Sequence, residues 1–97
     1  MSLLHLVCFK YKADVDPETR RQHRERLAAL KNIDGIEALK VGADVVGSAR
    51  SYDTGLAITF VDRAALDAYQ KHERHVPVAQ FGAGLCDHIV AVDFDIP

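Results

Sequence analysis

The stretch Leu3-Leu4-His5-Leu6-Val7-Cys8-Phe9 limits the fold more than any other part of the chain. Its apolar, β-branched and aromatic residues favour an extended strand, predicted over residues 3–11. Side chains on a strand alternate between two faces. Leu3, Val7 and Phe9 therefore share one face with His5, while Leu4, Leu6 and Cys8 occupy the other. With both faces apolar, the strand belongs inside a sheet, and both surfaces of that sheet need cover. The stretch is far shorter than the ~20 residues that cross a bilayer, and no positively charged segment precedes it as in a secretory leader. A soluble, uncleaved chain is expected.

The rest of the chain supplies the elements around this strand. Asp16-Pro17-Glu18 combines a capping side chain, a proline suited to a first helical turn and an acid favoured by the helix dipole. A helix is predicted from there to about residue 31, with His23, Leu27 and Leu30 on one face. Stop signals at 32–35 precede a second strand over 36–44. Residues 52–61 form a third, setting Tyr52, Thr54, Leu56, Ile58 and Phe60 against Asp53, Gly55, Ala57, Thr59 and Val61. Asp62 caps a second helix over 63–71 that turns Leu66 and Tyr69 inward. A break at 72–75 leads to a short third helix with Pro77 in its first turn, which Gly82 and Gly84 end. Residues 87–95 close the chain as a strand with two unlike faces, His88, Val90, Val92 and Phe94 on one and Asp87, Ile89, Ala91, Asp93 and Asp95 on the other.

The order strand, helix, strand, strand, helix pair, strand is the split βαβ arrangement of an α+β, ferredoxin-like fold, a four-stranded antiparallel sheet with helices over one face. The other face carries Leu4, Leu6 and Cys8. The same face of a second copy covers it most economically, because a two-fold axis lets one patch serve both partners. The expectation is a homodimer through the sheet face, forming a dimeric α/β barrel. A chain of 97 residues fits one domain, 1–97, whose thin core gains stability from self-association.

Charge and cysteine usage narrow the partners. Twelve basic and fourteen acidic residues leave a net charge of -2, too weak a positive field to recruit nucleic acid or an anionic membrane. The arginines of the first helix are interrupted by Glu18 and Glu25, and Arg21 and Glu25 have the spacing of an i, i+4 pair, which reads as a solvated helix face. Cys8 and Cys86 have no CxxC spacing and point to a reduced, cytoplasmic compartment. No glycine-rich phosphate loop follows a strand. His72 and His75 are spaced as in some metal sites, and His5 could add a third nitrogen, but no carboxylate or cysteine pair accompanies them. Neither a metal nor a cofactor is expected.

The segments His5-Leu6-Val7-Cys8-Phe9-Lys10, Gly42, Ser51-Tyr52-Asp53 and Leu66-Asp67-Ala68-Tyr69-Gln70-Lys71-His72-Glu73-Arg74-His75 resemble the stress-responsive A/B barrel, or Dabb, family. The likeness runs from His5 to Phe94, and its most specific element is Tyr69 followed three and six residues later by histidines. The resemblance implies ferredoxin-like subunits paired through their sheets, with a cavity between sheet and helices for a small apolar or aromatic molecule. It also implies site residues. The catalytic histidine of a plant polyketide cyclase of the family matches His75, its pocket tyrosine Tyr69 and its strand-one histidine His5. A further pocket histidine of that cyclase falls at Thr54, and the usual HPxH-like segment reads His72-Glu73-Arg74-His75 here.

Tyr69, His75 and His5 are thus the candidate catalytic residues. His75 would act as base and Tyr69 as hydrogen-bond donor to a developing enolate oxygen, with His5 assisting. The same residues also suit plain packing, with Tyr69 against the sheet and His75 at the start of the third helix. Two functions follow. One is a protein that binds a small apolar molecule without turnover, and the other is a cofactor-free enzyme of polyketide-cyclase-like or monooxygenase-like type.

Overall fold

The structure is a computed structural model and describes residues 1–97. Strands β1 (Ser2–Tyr11), β2 (Ile36–Ala43), β3 (Thr54–Phe60) and β4 (Cys86–Ile96) form one antiparallel sheet in the order β2-β3-β1-β4. Helices α1 (Pro17–Ala28), α2 (Arg63–Gln70) and α3 (His75–Leu85) complete the ferredoxin-like α+β fold that the sequence predicts. The strand with two apolar faces, β1, lies between β3 and β4. The register pairs Val7 with Leu56 and Ala91, and His5 with Ile58 and Asp93.

Two helix starts follow the predicted chemistry. The Asp16 carboxylate accepts the Thr19 N–H at 2.7 Å, and the Asp62 carboxylate accepts the Ala65 N–H at 2.9 Å. Beyond Ala28 the chain tightens into a 3₁₀ turn, Ala29–Asn32, that carries Leu30 into the core. The start of α3 is organised by His72, whose carbonyl accepts the N–H groups of His75 and Val76 at 3.0 Å each. Its Nδ1 accepts the Arg74 N–H, also at 3.0 Å.

The end of α3 departs from the prediction. The helix does not stop at Gly82 and Gly84 but runs on to Leu85. Gly82 serves a close approach instead of a stop: a methyl group there would lie 2.6 Å from Nε2 of His23 on α1. Gly35, in the turn into β2, has φ +91°, and a methyl group there would lie 2.6 Å from the Ala65 Cβ. Here glycine answers both a left-handed backbone and a tight contact.

The core fills the space between the inner sheet face and the helices. It includes Leu3, Val7 and Phe9 of β1, Leu27 and Leu30 beneath α1, and the fully buried Ile58 and Phe60 of β3. On the outer face Leu4, Leu6 and Cys8 pair with Phe94, Val92 and Val90 of β4. Those three β4 side chains are 46%, 55% and 48% exposed, so a row of large apolar groups crosses the sheet uncovered by this chain. No helix is long and apolar enough to cross a membrane. Phe60→Ala should lower the free energy of unfolding by about 3–5 kcal/mol in a urea titration. Val45→Ser, in the exposed connection between β2 and β3, should change it by less than about 0.5 kcal/mol.

Candidate functional site

Alternation along β1 sends His5 to the inner face, where it is 6% exposed. Antiparallel pairing with β4 sets Asp93 beside it, and the His5 Nδ1–H donates to Asp93 Oδ1. The carboxylate can only accept, so in the neutral imidazole the proton sits at Nδ1 and Nε2 is the acceptor. Asp93 is partly open to solvent, at 37% of its side chain.

Tyr69 reaches the same place from the last turn of α2 and is 1% exposed. Its ring packs 5.2 Å from Phe60, meets His5 edge-on at 6.3 Å and lies 4.1 Å from the ring of His75, all between centroids. Burial pushes the Tyr69 phenol up to about 12, so it stays a protonated donor at neutral pH. His75, the first residue of α3, is half-buried. Burial is the main cause lowering its pKa, opposed by the Gln70 backbone and reinforced by His5 and His72. His75 is thereby held as a neutral imidazole, and its Nδ1 is buried without a hydrogen-bond partner.

These three residues line a cavity of about 220 Å³ between the inner sheet face and the helices. Its walls are mainly apolar, with Val7, Phe9 and Leu56 from the sheet and Leu27, Val78 and Ala79 from the helices. Tyr69, His75 and His5 thus share the lining of one cavity. His72 does not join them, being turned to the backbone at the start of α3. No group of three or more His, Cys, Asp or Glu side chains is arranged to hold a metal ion.

Two further residues belong to the site. Asp93 holds His5, and its signal in the sequence is an acid at an odd position of the last strand, sharing a face with Ile89 and Ala91. His23 lines the cavity from α1 and is fully buried. Its Nδ1 is 2.7 Å from the Tyr11 hydroxyl, which is 2.9 Å from Thr54 Oγ1, and Arg24 donates to that oxygen at 3.3 Å. Thr54, where the resemblance placed a pocket histidine of the cyclase, therefore anchors a polar network instead. Burial, aided by the charges of Arg24 and Arg26, lowers the pKa of His23 to about 4 and keeps it neutral.

The model of the stress responsive A/B barrel domain family matches residues 3–96. The chain belongs to the Dabb family. Among solved structures, this Dabb chain is similar to a dimeric ferredoxin-like protein of unknown function from Thermobifida fusca. That pair is 26% identical with a TM-score of 0.91, over 99% of this chain and 92% of the other. A dimeric ferredoxin-like protein of unknown function from Jannaschia sp. CCS1 is 25% identical with a TM-score of 0.84, over 99% and 100%. A hydroxynitrile lyase from Passiflora edulis shares the fold at 20% identity and a TM-score of 0.88, over 99% and 94%. No curated protein matches the chain in sequence.

The depressed pKa of His23 has a measurable consequence. Its ring protons should titrate in an NMR series with a midpoint near 4. A histidine freed by unfolding binds its proton at about 6.5, so between pH 6.5 and 4 the unfolded chain holds the extra proton. Stability should therefore fall as pH drops through that window, and His23→Phe should flatten the fall while leaving the trend above pH 7 unchanged. An unaltered slope would contradict the assignment.

Proposed function

We propose that this Dabb protein is a homodimer that binds a small, single-ring or short-chain apolar molecule in the cavity between its sheet and helices. The observation that carries the reading is the apolar cavity of about 220 Å³ with Tyr69, His75 and His5 together in its lining. A cavity of ~150 Å³ holds benzene, and drug-sized ligands need ~300 Å³ or more. The occupant is thus a ring with one or two small substituents. The Tyr69 hydroxyl, protonated and free of any protein acceptor, donates to an oxygen on it.

The homodimer is supported by the uncovered apolar row on the outer face, since the row of a second copy would remove both from water. The relatives from Thermobifida fusca and Jannaschia are described as dimeric, which agrees. Two unpaired cysteines fit a reducing cytoplasm.

A second reading, a cofactor-free enzyme, is favoured by one specific contact. Asp93 orients His5 as carboxylates orient catalytic imidazoles, leaving an acceptor nitrogen beside a phenol donor. That pair suits removal of a proton from carbon next to a carbonyl, with Tyr69 stabilising the enolate oxygen. The role of base then passes from His75 to His5, with Asp93 as its positioning residue. The same fold carries a hydroxynitrile lyase in Passiflora edulis, so it is compatible with catalysis.

Acetophenone tests both readings. Isothermal titration should detect its binding, and Tyr69→Phe should weaken it about tenfold by removing the hydrogen bond to the ketone. No binding to the wild-type protein would refute the cavity reading. Exchange of the ketone's methyl protons in deuterated water, followed by NMR, separates binder from enzyme. An enzyme should accelerate it, and His5→Gln should reduce the acceleration about 10²-fold or more. Exchange at the buffer rate would leave binding alone.

A further inference from the structure

A second polar group, His23, lines the cavity from α1. On α3, His75 and Gly82 are seven residues apart, two helical turns or about 10 Å along one face, with Val78 and Ala79 between them, and all four line the cavity. Tyr69 packs on His75 at the near end. His23 lies against Gly82 at the far end, fully buried, with Nε2 directed at the glycine and no hydrogen-bond partner. Any side chain at position 82 would fill that contact.

The hydrogen-bond chain behind His23 assigns its proton. Arg24 can only donate, so Thr54 Oγ1 accepts from it. Thr54 then passes its own hydrogen to the Tyr11 oxygen, and Tyr11 donates to His23 Nδ1. The reverse direction would leave two groups unpaired, the Thr54 hydroxyl hydrogen and the Nε2 lone pair of His23, against the single Nε2–H that this one leaves. A neutral imidazole carries one N–H, and with Nδ1 accepting, that N–H is at Nε2. A buried donor left unpaired is costly and calls for a partner.

We propose that His23 is a second anchor of the cavity, its Nε2–H donating to an acceptor atom at the end of the ligand remote from Tyr69. The proposal rests on the cavity reading above and narrows it. The ligand class becomes a compact ring carrying hydrogen-bond acceptors at both ends, one taken by Tyr69 and the other by His23. His23 and Gly82 both line the cavity, and any side chain at 82 would collide with the nitrogen.

Acetophenone and 4-acetylpyridine have nearly the same shape and differ by one ring nitrogen opposite the ketone. The wild-type protein should bind 4-acetylpyridine about tenfold more tightly, the effect of one hydrogen bond to a buried donor. His23→Phe should remove that preference, so that whatever affinity remains is equal for the two ketones. In wild-type protein, ¹⁵N NMR should show His23 protonated at Nε2, with the resonance moving on addition of 4-acetylpyridine and not of acetophenone. Equal affinities for the two ketones, or a proton at Nδ1, would overturn the assignment while leaving the cavity reading intact. If neither ketone binds, the cavity reading fails and His23 as an anchor falls with it. Should His23→Phe not fold, the wild-type affinity ratio and tautomer decide the matter.

Discussion

Everything in this molecule is arranged around a central strand that is apolar on both sides. β1 lies between β3 and β4, and its inner row of Leu3, His5, Val7, Phe9 and Tyr11 is buried throughout. That row supplies part of the core, one wall of the cavity, the imidazole paired with Asp93 and the phenol paired with His23. Because strand side chains repeat every second residue, a slip of one position would exchange this row for Leu4, Leu6 and Cys8. Core, site and outer face are therefore set by one register.

Burial then sets the chemistry. Tyr69 keeps its proton, and His75 and His23 stay neutral, because low-dielectric surroundings disfavour the charged form of each. The apolar walls that would hold a ligand by contact are also what keep these groups in hydrogen-bonding rather than ionic form. A site of this kind suits uncharged molecules with carbonyl or ring-nitrogen acceptors, and offers nothing to a phosphate or a carboxylate. Shape and two or three directed hydrogen bonds would supply the selectivity.

Much of this was legible in the sequence, for identifiable reasons. Alternation in β1 and β3, the caps at Asp16 and Asp62 and the order of elements all act over a few residues, so local pattern carried the fold. Tyr69 and His75 could be paired because only a helix end and a short break separate them. The His5 and Asp93 contact joins residues 88 apart in sequence and depends on the β1 and β4 register, which no local pattern reports. Gly82 was misread for a related reason. A glycine near a helix end ordinarily marks a stop, and only the imidazole arriving from α1 explains why this one lies inside α3. His23 itself looked like one more member of an inward helix face, and its network with Tyr11 and Thr54 exists only in three dimensions.

In the proposed homodimer β1 is buried on both sides, by its own helices on one and by a second copy on the other. Sedimentation equilibrium at tens of micromolar protein tests it most directly. The proposed homodimer should give a mass of two copies of the 10.7 kDa chain, and Leu6→Asp on the outer face should convert it to one copy. A wild-type protein that sediments as a single copy, with the outer row of β1 and β4 left in water, would contradict it.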